Sequence, residues 1–192
     1  MPRPRPYDDA LRNDLLEAAG RALSEGGELA VSIRAVAAQA GTTTAGVYAL
    51  FGSRDSLIEE VAARGLEEFR AHIEARPVHD DPREDIRELF LAYRRAALDM
   101  PHMYRAFGVV AARRGDLDLS GVNGLRSTLR AVRRLSPPDA PKDEVFETAV
   151  TVCAFVHGLV MFEIDRVIIG SEEDNVARFE RALDTIAPLA DR

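Results

Sequence analysis

The stretch SIRAVAAQAGTTTAGVYALF, residues 32–51, decides the fold. Ser32 is a good N-cap residue, and Ile33, Val36, Ala37 and Ala40 follow it at three-and-four spacing, so a short helix is expected. Gly41 stops that helix and supplies the positive φ that a sharp turn needs. Thr42 and Thr43 read as the turn. A second short helix then runs to Phe51, and Gly52-Ser53 ends it. Val36, Ala37, Ala40, Val47 and Phe51 can pack between the two helices. The second helix is too short to be a core element, but held at a fixed angle it can enter a major groove about 12 Å wide. Its N-terminus presents free amide N–H groups and a partial positive dipole, which suit a phosphate. Helical hairpins with a glycine turn serve other purposes too, so the pattern alone leaves DNA binding open.

Outward from this hairpin the sequence reads as helix throughout. A first helix from Asp8 or Asp9 carries Leu11, Leu15, Ala18, Ala19, Ala22 and Leu23 on one side and stops at Gly26-Gly27. Leu57, Ile58, Val61, Ala62, Leu66, Phe69 and Ile73 trace one face of a long fourth helix ending before Pro77. Asp81-Pro82-Arg83-Glu84 combines a cap, a first-turn proline and an acid three residues after the cap. Pro101 separates the helix that follows from the next. Helices are expected over about 122–135 and 143–169. Ser171 to Asp174 cap the last one, with Val176, Phe179, Leu183 and Ile186 on its apolar stripe. The expectation is an all-α fold of about nine helices, with no convincing strand. A three-helix DNA-binding head is expected at 1–52 and a helical body at 53–192.

Composition narrows the function classes. The 192 residues are 46% hydrophobic and 30% charged, ordinary for a soluble globular protein. Trp is absent and aromatics are 6%, which disfavours aromatic-cage or sugar-stacking sites. One cysteine rules out an intrachain disulfide or a Cys-based zinc site, and a single thiol suits a reducing cytoplasm. The N-terminus lacks the apolar region of a secretory signal. The longest near-apolar stretch, residues 149–162, is shorter than the roughly 20 residues of a membrane span, so no membrane association is expected. The net charge of −7 argues against nucleic acid until the chain is divided. Residues 1–54 carry six arginines and six acids and are neutral, so the whole acid surplus lies beyond them.

Enzyme signatures are absent from the sequence. There is no His-Glu-x-x-His, no Gly-x-Ser-x-Gly, no phosphate-binding glycine loop and no Glu-x-x-His pair. Glu68 and His72 sit four apart on one helix, which suits a surface contact as well as a metal pair. No catalytic role, metal or cofactor is expected.

The segment Ala40-Gly41-Thr42-Thr43 through Val47-Tyr48-Ala49-Leu50-Phe51, with Arg54 and Leu57, resembles the TetR family of one-component transcriptional regulators. That signature runs Ala-Gly-Val-Ser-x-Gly-x-Leu-Tyr-x-His-Phe-x-x-Lys-x-x-Leu. Here Thr42 replaces Val, Ala45 replaces Gly and Leu50 replaces His, which removes a polar side chain. Residues 81–107, with Phe155-Val156-His157-Gly158-Leu159, resemble the family's Trp-His-Gly subgroup, although Val156 interrupts the motif. By position, the resemblance implies that Arg34 reaches a base edge, where a guanidinium reads guanine O6 and N7. It implies that Thr42, Thr43, Tyr48 and Arg54 hold phosphates, and that Thr44, Ala45, Gly46 and Ala49 face bases. With little polar reach in that set, sequence choice would lean on Arg34, Thr44, the Gly46 backbone and DNA shape. Arg34 could instead lie on a solvated face, and Tyr48 could belong to the core.

The body has two further expected tasks. The helix at 143–169 is apolar all round, so it should be buried on all sides. With the last helix it could form a four-helix interface with a second copy, giving a two-fold homodimer through about 143–187. Phe69, Tyr93, Met100, Tyr104, Phe107, His157 and Met161 are candidates to line an effector pocket, each equally readable as plain core. Cys153 reads as a small buried hydrophobe. The expected protein is thus a cytoplasmic regulator that binds a double-stranded DNA operator and a small-molecule effector, acting as a repressor. The competing expectation is a helical small-molecule carrier that no longer binds DNA. The first six residues, MPRPRP, cannot form a helix. They are either a disordered start or an arm that places Arg3 and Arg5 in a minor groove.

Overall fold

The computed structural model describes residues 9–105 and 124–190. Arg3, Arg5 and Phe107 lie outside the described residues. Among the latter there are nine α-helices and no strand. They are α1 (Asp9–Gly26), α2 (Ile33–Gln39), α3 (Thr44–Phe51), α4 (Arg54–Glu74), α5 (Pro82–Asp99), α6 (described at 101–105), α7 (Leu125–Leu135), α8 (Lys142–Ile164) and α9 (Glu172–Ala190). A 3₁₀ turn at Glu28–Ala30, not foreseen in the sequence, links α1 to α2.

The chain divides into two compact units. One holds the described residues up to Glu68 with those from Met100; the other holds residues 69–99 and those from Gly124 onward. The division falls within α4. In the first unit α1 packs on α2, and α2 on α3. Leu11, Leu15, Leu23, Val36, Ala37, Val47, Leu57 and Ile58 are all buried there. Burying each leucine-sized side chain contributes about 1.5–3 kcal/mol. These are the apolar positions the helical spacing marked out.

In the second unit α7 packs on α5 and α8, and α8 on α9. Leu125, Val132, Val145 and Ala149 form one buried cluster, with Ile86, Leu129 and Cys153 against it. The cysteine's burial pushes its thiol pKa up to about 11, outweighing a Thr128 hydrogen bond that lowers it, so the thiol is inert at neutral pH. A charged knot lies nearby. Arg94, only 2% exposed, donates from Nε to Glu163 Oε1 at 2.9 Å and from Nη1 to Glu172 Oε1 at 2.8 Å. Burial alone would lower the Arg94 pKa, but its bonds to Glu163 and Glu172 outweigh that and raise it. The knot ties α5 to the end of α8 and the start of α9.

Local sequence sets the helix ends. The Ser32 hydroxyl accepts from the Ala35 N–H at the start of α2. Asp81 accepts from the Arg83 N–H at 2.9 Å before α5. At the head of α9, the Asp174 N–H donates to Ser171 Oγ at 3.1 Å and the Ser171 N–H donates back to Asp174 Oδ2 at 3.3 Å, a reciprocal capping box.

Two expectations for α8 are corrected. It stops at Ile164 rather than near Ile169, because Arg166 takes a left-handed φ of 55°. Nor is it buried on all sides of this chain. Val145, Ala149, Val152, Val156 and Val160 are buried on one stripe, while Ala154, Phe155 and Phe162 are exposed on another. With 23 residues, of which the most apolar 18 have a mean hydropathy of 1.8, α8 is long and apolar enough to cross a membrane by length and composition alone. The 14-residue apolar count missed this because the helix extends into the mixed sequence on both sides. Its buried valine stripe packs in the core of the second unit, and a soluble core helix passes the same length test.

Candidate nucleic-acid interface

The α2–α3 hairpin is built by two backbone devices. At the end of α2 the Thr42 N–H donates to the Ala37 carbonyl at 2.9 Å and the Gly41 N–H to the Ala38 carbonyl at 3.2 Å. This is a Schellman motif with Gly41 as its left-handed residue, φ 68°. A Cβ at Gly41 would meet nothing within 4 Å, so backbone conformation alone demands the glycine. Thr43 then caps α3, its Oγ1 accepting from the Gly46 N–H at 3.2 Å. Because that oxygen only accepts, the hydroxyl proton remains able to donate.

The two faces of α3 separate cleanly. Val47 and Phe51 are buried against the rest of the unit, and Gly46 is buried with them. Thr44, Ala45, Tyr48 and Ala49 are exposed, Tyr48 by 50%. Thr43 and Arg34 are exposed as well, and Thr42 is half-buried. Of the residues expected to meet bases, Gly46 is therefore the one that turns inward.

Arg54 also turns inward. Its Nε donates to the Val31 carbonyl at 2.8 Å, and its Nη2 donates to the Glu28 carbonyl. Its Nη1 lies 3.6 Å from Asp55. The guanidinium thus fastens the start of α4 to the 3₁₀ turn that precedes α2. Sequence spacing placed the base correctly at the head of α4 but could not show these carbonyls.

Arg12 was missed altogether. Its Nη1 donates to the Leu50 carbonyl at 3.1 Å, in the last turn of α3. Its Nε donates to Glu60 Oε1 on α4 at 2.9 Å, and its Nη2 pairs with the other carboxylate oxygen. The guanidinium also stands 4.6 Å from the centre of the Phe51 ring. One side chain from α1 therefore satisfies an open carbonyl of α3, stacks on its last aromatic and braces it against α4. A lone arginine on an amphipathic helix gives no signal of this.

Of the residues expected around an effector, Phe69 and Tyr93 are brought together in the second unit. Both are buried, with ring centres 5.3 Å apart and planes at 82°. His157 and Met161 lie one turn apart on α8, both half-buried. Burial lowers the His157 pKa, which keeps the imidazole neutral at neutral pH. Tyr104, buried, and Met100, half-buried, belong to the first unit. No group of three or more His, Cys, Asp or Glu side chains among the described residues could hold a metal ion.

A capped short helix with one buried and one exposed face, behind a glycine turn, has the build of a helix-turn-helix hairpin. The comparisons refine the class. Residues 15–61 match the bacterial regulatory proteins of the tetR family, and residues 86–186 match the tetracyclin repressor-like C-terminal domain. The second match alone spans more than half of the chain, so the protein belongs to the TetR family of DNA-binding transcriptional regulators. No curated protein matches it. Solved structures share the fold. A transcriptional regulator from Rhodococcus sp. is 20% identical over 96% of this chain and 99% of its own, with a TM-score of 0.71. Mycobacterium smegmatis BioQ is 21% identical over 94% and 97%, with a TM-score of 0.67. A TetR variant from Acinetobacter baumannii, in complex with minocycline, is 18% identical over 91% and 93%, with a TM-score of 0.63.

Proposed function

We propose that this chain represses transcription by occupying an operator as a homodimer and leaves it when a small effector binds. Residues 1–52 act as the DNA reader and 53–192 as the effector-binding and dimerising body, with the body nearest the Trp-His-Gly subgroup through Phe155 to Gly158. The observation that carries the reading is the outer face of α3. Thr44, Ala45, Tyr48 and Ala49 stand exposed on a helix whose N-terminus is capped by Thr43. Laid in the major groove, this face offers methyl groups to thymine and the Tyr48 hydroxyl to a phosphate. Arg34, exposed on α2, reads a guanine or a neighbouring phosphate.

The exposed Phe155 and Phe162 stripe of α8 supports the dimer. A two-fold dimer then sets two α3 helices against half-sites a turn, or a multiple of it, apart. An effector among Phe69, Tyr93, His157 and Met161 shifts α4, which contributes residues to both units, and the half-site spacing no longer fits. The same fold holds minocycline in one of its structural neighbours. Such a regulator works in the cytoplasm.

The test is a titration of the full-length protein with the DNA upstream of its own gene, at two salt concentrations. Affinity should fall with rising salt, because releasing phosphate counterions into a more concentrated solution gains less. Arg34→Ala should weaken specific binding by about 10- to 100-fold, the ~1–3 kcal/mol of a bidentate base contact. No DNA binding at either salt concentration would return the chain to the class of small-molecule carriers.

A further inference from the structure

A cleft of about 350 Å³ lies wholly inside the second unit, between the end of α4, the start of α5 and α7. That size falls within the roughly 300–1,000 Å³ of small-molecule sites. It shares no residue with the effector set above. Three arginines line it: Arg76, Arg130 and Arg134.

Two acids answer them. Asp85, with its side chain 5% exposed, accepts from Arg134 Nη1 at 2.6 Å and from Arg76 Nη2 at 3.4 Å. Glu74 lies 3.6 Å from Arg130 Nη2, which also donates to Ser127 Oγ at 3.2 Å. Three guanidinium charges against two carboxylates leave one positive charge over. Arg76 is the decisive residue. Its side chain is only 9% exposed, and its Nε has no hydrogen-bond partner. A buried cationic donor without an acceptor is costly, and because this Nε is closed off from the open space, an acceptor in the cleft recovers that cost by drawing the guanidinium toward it.

We propose that this cleft binds a small organic carboxylate. A single surplus charge matches a monoanion, and a guanidinium fork fits the planar carboxylate geometry. Arg76 and Arg130 hold the carboxylate. Val78 and Ala131, the apolar part of the lining, receive the rest of the molecule.

The test uses full-length protein and follows the arginine Nε–H resonances by NMR while benzoate, acetate or inorganic phosphate is added at constant ionic strength. The expected result is a saturable shift of the Arg76 resonance, with benzoate binding more tightly than acetate or phosphate. Arg76→Lys identifies that resonance by removing it, and should abolish the binding. Arg130→Gln, at a side chain 62% exposed, leaves the fold intact and should weaken benzoate about tenfold. The proposal is overturned if Arg76 shows no saturable shift, if Arg130→Gln binds benzoate unchanged, or if phosphate binds more tightly than benzoate. DNA affinity is measured separately, so the cleft and the regulator reading fail independently.

Discussion

Arg12 shows how α3 depends on a residue that lies on another helix. Its bonds to Leu50 and Glu60 and its stack on Phe51 brace α3 from behind. Arg12→Ala should lower unfolding stability by about 1 kcal/mol, modest because both partners are about a third exposed. It should also weaken operator binding several-fold at temperatures where the variant remains folded, measured by thermal melts and DNA titration on one preparation. Unchanged DNA affinity would mean that α3 needs no such brace. Residues of this kind divide by how their roles are encoded. The Gly41 turn was legible because a left-handed glycine acts through its own position in a short motif. The partners of Arg12 and Arg54 were not, because they are fixed only by how the helices cross. Arg54 heads α4 as the spacing placed it, and the carbonyls of Val31 and Glu28 take bonds from its Nε and Nη2 that spacing could not show.

The same terminal motif closes two helices with unequal residues, and the comparison tests what it costs. At the end of α8 the Val167 N–H donates to the Phe162 carbonyl at 2.9 Å and the Arg166 N–H to the Glu163 carbonyl at 3.1 Å. This repeats the Gly41 geometry with arginine in the left-handed position, φ 55°. A side chain there is strained by about 1–2 kcal/mol. Arg166→Gly should therefore stabilise the protein by up to about 1 kcal/mol once glycine's extra unfolded freedom is subtracted, read as a higher urea midpoint. A lower midpoint would show that the Arg166 side chain contributes more than it strains. Helix starts were readable from sequence, as Ser32, Asp81 and Ser171 show, because a cap acts within three residues. The end of α8 was not. Val167, Ile168 and Ile169 continue its apolar run, and no glycine or proline marks the stop before Gly170.

For the whole molecule, two uneven surfaces carry the account: α3 on the first unit and the α8 stripe on the second. The stripe was half legible. Apolar residues all round α8 announced burial, but only packing shows which of them one chain leaves uncovered. Gly158 lies on the uncovered side, and a Cβ there would meet nothing within 4 Å, so the surface is open for close approach. Phe155→Glu should convert the dimer to monomer in light scattering, leave helicity unchanged and weaken operator binding at least tenfold, because two half-sites are then bound singly. A monomeric wild type would remove that argument. The central claim is that α3 lies in a major groove, and methylation interference on the bound upstream DNA tests it most directly. Dimethyl sulfate marks guanine N7 in the major groove and adenine N3 in the minor groove. The account predicts interference at guanine N7 in two symmetric patches, with one position per patch lost in Arg34→Ala. Tight binding with no N7 interference, or with interference at adenine N3 alone, would contradict it.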